Sequence, residues 1–75
     1  MAQTKYWRLQ LKGELSPDQV HAALPEGAVS LLRIHKERGE THVYFSTAEQ
    51  PGAPKVRSTG EAAEEVSLDV VTRIG

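Results

Sequence analysis

Hydrophobic and polar positions alternate strictly over residues 6–11. One set of alternate positions holds Trp7, Leu9 and Leu11, and the other holds Tyr6, Arg8 and Gln10. Successive side chains of a β-strand point to opposite faces of the sheet, so this period of two predicts a strand with one buried and one exposed face.

A short helix is predicted directly after this strand. Ser16 suits the N-cap, Pro17 suits the first helical position, and the Gln19 side chain can reach back to the cap as in a capping box. The apolar stripe of the helix consists of Val20, Ala23 and Leu24. Pro25 cannot continue a helix and ends it after about two turns.

The middle of the chain has the pattern of a β-hairpin. Residues 29–35 and 41–46 are rich in β-branched, leucine and aromatic side chains, and residues 36–40 between them include Gly39, which suits a turn.

The hydrophobic pattern also predicts the register of this hairpin, because directly opposed residues share a face. A two-residue turn at Arg38 and Gly39, or a four-residue loop, gives one uniformly apolar face. The opposed pairs are then Ile34 with Val43 and Leu32 with Phe45. A three-residue loop would set Ile34 against His42 and mix apolar with polar residues, so we favour the first register.

Residues 47–60 contain Pro51, Gly52, Pro54 and Gly60, all breakers of regular structure, and few apolar residues. This composition predicts an exposed, mobile connection, with at most a short extended piece at residues 55–57. Ser58 and Glu61 have capping-box spacing, which allows a short second helix up to residue 65.

The final segment fits two patterns. A helical stripe would contain Ala63, Val66, Val70 and Ile74, whereas a strand would alternate Val66, Leu68 and Val70 with polar neighbours. We favour a strand over residues 66–74, because the helix leaves Leu68 off its stripe and β-branched residues prefer a pleated surface.

These elements predict a single small α+β domain over residues 1–75. The expected architecture is a four-stranded antiparallel sheet with one or two short helices on one face, in the ferredoxin-like order β-α-β-β-(α)-β. A β-α-β-β-β sheet with a single helix is the alternative.

Composition narrows the classes of function. The 75 residues carry a formal charge of −1 and no cysteine, which excludes disulfides and the commonest zinc frameworks and argues against binding nucleic acid through bulk positive charge. Neither a signal peptide nor a membrane span is expected, so we place the protein in the cytoplasm.

The sheet face away from the core is the expected binding surface. It is aromatic and basic, and its candidate binding residues are Tyr6, Arg8, Arg33, His35, His42 and Tyr44. Arginine and tyrosine are enriched at binding hot spots, because both combine a large contact area with a polar end.

His35 and His42 become cross-strand neighbours in the favoured register, close enough to share a metal ion or a proton. Two ligands are too few, so Glu37, Glu40 or a symmetry mate would have to complete a metal shell. We therefore expect a solvated histidine pair, with neither a metal nor a cofactor.

The sequence lacks the common catalytic and phosphate-binding motifs, so we expect no catalysis. The favoured hypothesis is a small interaction module, an accessory, regulatory or assembly protein that binds another protein or its own copy. The first alternative is weak binding of single-stranded RNA or DNA by the same face. The second is an enzyme subunit that completes a site at an oligomer interface.

Overall fold

The structure, a computed structural model, describes residues 3–49, 52–56 and 60–73. Within these residues the elements are β1 (Thr4–Lys12), α1 (Pro17–Ala23), β2 (Ala28–Glu37), β3 (Glu40–Ala48), β4 (Glu64–Val66) and α2 (Leu68–Arg73). The strands form one open sheet in the order β2-β3-β1-β4, and every neighbouring pair is antiparallel.

The predicted α+β domain with a four-stranded antiparallel sheet and short helices is confirmed at this level. The predicted place of the second helix is wrong, because α2 follows β4 instead of preceding it. The single-helix alternative is also wrong, since α2 is present.

The first two elements form as the sequence predicts. The Ser16 hydroxyl accepts a hydrogen bond from the Gln19 amide at 3.3 Å, and the Gln19 side chain accepts one from the Ser16 amide at 2.9 Å. This capping box satisfies two amides that the first turn of a helix leaves unpaired. Val20 is the buried residue of α1 and anchors it to the sheet.

The hairpin of β2 and β3 has the predicted two-residue turn. Arg38 and Gly39 both have positive φ, 50° and 76°, as a type I′ turn requires. Ile34 opposes Val43 and His35 opposes His42, as predicted.

The predicted pairing of Leu32 with Phe45 is wrong. The register shifts between Leu31 and Arg33, so that Leu31 opposes Phe45 and Leu32 is the extra residue of a bulge. The bulge brings Leu31 against the core and leaves Leu32 exposed.

We expect Arg38→Asn to raise the free energy of unfolding by about 0.5–1 kcal/mol, because asparagine tolerates the left-handed region better than arginine. Arg38→Val is the control and should lower it, since a β-branched residue is strained at positive φ. Chemical denaturation measures both. An asparagine variant no more stable than the parent would contradict the turn geometry.

The core lies between α1 and one face of the sheet. Its buried members are Trp7, Leu9, Leu11, Val20, Val43, Phe45, Val56 and Ala63. Polar groups inside it are paired: the Trp7 indole donates to the Thr47 hydroxyl at 2.9 Å, and the Thr41 hydroxyl donates to the Gly13 carbonyl at 2.7 Å. The second bond ties the connection between β1 and α1 to the middle of the sheet.

The prediction of an exposed connection over residues 47–60 is wrong at three of its nine described residues. Thr47 is buried in β3, and Pro54 and Val56 are buried beyond it. The Val56 amide donates to the Glu61 carbonyl at 2.9 Å, and the Ala63 amide donates to the Pro54 carbonyl at 2.8 Å. This segment therefore contributes a core residue. Residues 50, 51 and 57–59 lie outside the described residues, and the predicted mobility stays a prediction.

The secondary structure of the final segment is the reverse of the prediction. Residues 61–63 are not helical, Glu64–Val66 is a strand, and Leu68–Arg73 is a helix. Ser58 and Ile74 lie outside the described residues. Leu68 and Val70, which the predicted strand would place on one face, are 50% and 38% exposed.

Local hydrogen bonding explains the helix. The Ser67 hydroxyl and carbonyl both accept from the Val70 amide, at 3.4 and 3.1 Å. Asp69 and Arg73, one turn apart, form an ion pair at 3.6 Å. These contacts stabilise a short helix in spite of its β-branched residues. The predicted strand over residues 66–74, which would include Asp69 and Arg73, is accordingly wrong from Leu68 to Arg73.

Candidate interaction surface

The six predicted binding residues lie on three neighbouring strands. Opposed residues share a face, so the register sets Arg8, Tyr44 and Arg33 in one row across β1, β3 and β2. The next row contains His42 and His35, and the preceding row begins with Tyr6. We call this set the polar face: Tyr6, Arg8, Arg33, His35, His42 and Tyr44.

The charge of Arg8 is neutralised within the chain. Its guanidinium Nη2 lies 2.5 Å from a carboxylate oxygen of Glu64 in β4. The hydrogen bond to Glu64 raises the pKa of Arg8 above its ordinary value, and a hydrogen bond to Tyr44 raises this pKa further. Partial burial of the guanidinium lowers the same pKa, but by less than the hydrogen bond to Glu64 raises it. Arg8 thus already has a carboxylate partner, with which an external anion would have to compete.

Tyr44 offers almost no surface on the polar face. It is only 4% exposed, although it lies outside the main core cluster. Arg33 is exposed, and Tyr6, His35 and His42 are partly exposed. The role of the polar face in binding stays a prediction, and its accessible part is smaller than the sequence suggested.

The two histidines of the hairpin are neighbours, as predicted. Their ring centroids are 6.2 Å apart with the planes tilted by 53°. His35 Nε2 lies 3.5 Å from a Glu37 carboxylate oxygen, while His42 Nε2 is shielded from solvent and has no hydrogen-bond partner among the described residues. Within the described part of one chain, no group of three or more histidine, aspartate or glutamate side chains is placed to hold a metal ion.

A second surface, which the sequence analysis missed, is the outer edge of β2. Among the described strands, β2 pairs only with β3 and ends the sheet. Glu37 and Glu40 flank the two-residue turn and therefore exchange backbone hydrogen bonds. Along an antiparallel ladder, such hydrogen-bonded pairs alternate with pairs whose backbone groups point away from each other. Arg33 and His35 bond to β3 in this pattern, whereas the amides and carbonyls of Ile34 and Lys36 point outward.

Apolar side chains accompany these outward backbone groups. Val29, Leu32 and Ile34 are 70%, 38% and 36% exposed. Ile34 is exposed although it opposes Val43, which is completely buried, so at this pair the cover over the sheet stops at β3.

A groove lies where this cover stops. It has a volume of about 400 Å³ and is lined by Leu15, Pro17, Ile34 and Lys36. Together, residues 33–37 with their outward backbone groups, the three exposed apolar side chains and this groove form what we call the β2 edge.

Another groove, of about 420 Å³, lies beside β1. Its charged lining residues are Arg8, Lys12, Glu40, Glu61 and Glu64. Both signs are present and Arg8 is already paired with Glu64. This groove therefore indicates no ligand of a particular charge.

Strand order was the missing information. The sequence predicts each strand from its own pattern, but only the pairing of β4 with β1 leaves β2 at the end of the sheet. The one available signal in the sequence was the presence of Arg33, Lys36 and Glu37 on one predicted strand, because charged residues are common on edge strands.

Two further findings concern the whole chain. Neither described helix has the length and apolar character needed to cross a membrane. Comparison of the chain with protein-family models, with curated proteins and with solved structures found no match.

Proposed function

We propose that this protein is a non-catalytic interaction module that binds protein, either another chain or its own copy, through the β2 edge. The observation that carries the proposal is the combination of outward backbone groups at Ile34 and Lys36, with which no described strand pairs, and exposed apolar side chains beside them. An added strand would satisfy the backbone groups and cover the apolar ones together.

The proposal moves the binding surface from the polar face to the edge of the sheet. On the polar face, Tyr44 is buried and Arg8 is paired with Glu64. Isolated exposed apolar residues are ordinary on protein surfaces, but three on one strand that also has free backbone groups are what strand addition requires.

The neutralised Arg8 also weakens the case for nucleic acid. Binding of single strands needs free cations beside stacking aromatics, and the polar face keeps Arg33 as its exposed arginine while Tyr44 is covered. Association with protein therefore has the better support.

We expect Ile34→Lys to weaken association at least tenfold, because it places a charge where an added strand would pack. Val70→Lys is the matched control: Val70 is also β-branched and 38% exposed, but it lies on α2. Sedimentation velocity over a wide concentration range measures self-association, and chemical cross-linking in the source extract measures binding to other proteins. Thermal unfolding checks that both variants are folded.

Loss of association in the Ile34 variant alone would support the proposal. It would be overturned by a parent protein that neither associates with itself nor cross-links to another protein, or by equal losses in both variants. Salt-dependent retention on single-stranded DNA that survives Ile34→Lys, without protein association, would favour the nucleic-acid alternative instead.

A further inference from the structure

We infer that the occupant of the β2 edge is a second copy of this chain, paired antiparallel to β2 about a two-fold axis that passes beside His35. The inference rests on the proposed function and specifies its partner and register. It follows from the few registers that the edge permits and from the charges that each register brings together.

The backbone permits few registers. In an antiparallel pair, residues that exchange hydrogen bonds must both present their backbone groups to the partner strand. On the turn side of the bulge, the residues that do so are Ile34 and Lys36. Two identical strands can then pair in three ways: Ile34 with the partner's Ile34, Ile34 with the partner's Lys36, or Lys36 with the partner's Lys36.

Charge distinguishes the three registers. Pairing Ile34 with the partner's Lys36 sets Arg33 opposite the partner's Glu37, and symmetry repeats this pair of opposite charges. The aliphatic stem of Lys36 then covers the apolar side chain of the partner's Ile34, and the ammonium group of Lys36 stays at the surface.

The other registers lack this complementarity. Pairing Lys36 with the partner's Lys36 opposes like charges at the axis, which is unfavourable. Pairing Ile34 with the partner's Ile34 sets Arg33 opposite the partner's His35 and extends the ladder into the bulge at Leu32. The favoured register instead uses residues 33–37 of both copies, all on the regular side of the bulge.

The same register places His35 directly opposite the partner's His35. Their backbone groups face β3 in each copy, so they form a non-hydrogen-bonded pair, with Cα atoms about 4.5 Å apart. That separation lies in the range that a disulfide spans, roughly 4.4–6.8 Å. The chain contains no cysteine, so a single introduced cysteine reports on one position alone.

Three single-cysteine variants therefore test the three registers. Under mild oxidation, His35→Cys should give a covalent dimer at least tenfold faster than Ile34→Cys or Lys36→Cys. Faster cross-linking of Ile34→Cys or Lys36→Cys would overturn the register, because each marks the axis of one of the other two. Sedimentation of the parent chain, run beside these variants, measures the dimer itself.

Charge reversal is an independent check. Arg33→Glu should weaken dimerisation at least tenfold, and adding Glu37→Arg should restore it to within about threefold of the parent, because the pair is then reversed but still complementary. A double variant as weak as the single one would overturn the inference.

The outcomes separate this inference from the proposed function. A dimer that cross-links through another position overturns the register and leaves the module intact. A parent chain that stays monomeric but binds another protein through Ile34 overturns the second copy as occupant and leaves the proposed function standing.

Discussion

Truncating Phe45 to alanine is expected to lower the free energy of unfolding by about 3–5 kcal/mol. Phe45 is completely buried in β3, which lies between β2 and β1, and its side chain packs in the core cluster. The loss combines the removed apolar surface with the cavity that remains. A domain of this size is stable by about 4–11 kcal/mol, so the variant should lose a large share of its stability.

Chemical denaturation followed by tryptophan fluorescence measures this loss, since the chain has one tryptophan and Trp7 opposes Phe45 directly. Leu32→Ala is the control, because Leu32 lies in the bulge and is 38% exposed. It should cost clearly less, about 1 kcal/mol. Similar losses in the two variants would contradict the position of the core.

Replacing Val56 by aspartate is expected to cost several kcal/mol, because it buries a carboxylate without a partner in the core. Val56 is 2% exposed and belongs to the core cluster although it lies outside every helix and strand. Lys55→Asp is the control, since Lys55 is the exposed neighbour on the same segment. It should change stability by no more than about 0.5 kcal/mol.

Thermal unfolding measures both aspartate variants. Hydrogen exchange at Trp7 and Ala63 shows whether the variant loses only this segment or the whole core. A Val56→Asp protein as stable as Lys55→Asp would mean that residues 52–56 do not pack on the sheet.

Local patterns were enough to predict the order and type of the elements up to β3, although not the bulge within β2. The alternation in β1, the capping box at Ser16 and the turn at Arg38 and Gly39 each act within a few residues, and the structure forms all three. The same register argument correctly predicted His35 and His42 as neighbours.

The bulge at Leu32 could not be predicted in this way. A regular ladder from the turn would continue the pairing of Ile34 with Val43 to Leu32 with Phe45, and both pairs are apolar. The structure instead brings Leu31 against the core. Two adjacent leucines make both registers look equally apolar, so the pattern contains no information about the shift.

Competing local signals explain the error in the final segment. Val66, Val70 and Val71 favour a strand by propensity, but Ser67 supplies a cap and Asp69 pairs with Arg73. The strand lies instead at Glu64–Val66, and its charged residues form ion pairs with β1. Glu64 pairs with Arg8, and Glu65 pairs with Lys5 at 3.7 Å. These partners are distant in sequence and cannot be read from local periodicity.

The β2 edge depends on the strand order in the same way. Among the described strands, none pairs with the outer side of β2, because β4 adds to β1 at the other side of the sheet. The sequence shows the residues of the edge but not their position, which is why the polar face was the expected surface.

Amide hydrogen exchange along β2 tests the central claim, binding at the β2 edge, most directly. In dilute protein, the Arg33 and His35 amides should exchange slowly because they bond to β3, whereas the Ile34 and Lys36 amides should exchange fast. Once sedimentation shows an associated state, we predict slow exchange at all four positions. Fast exchange of Ile34 and Lys36 in the associated protein would contradict binding at the β2 edge.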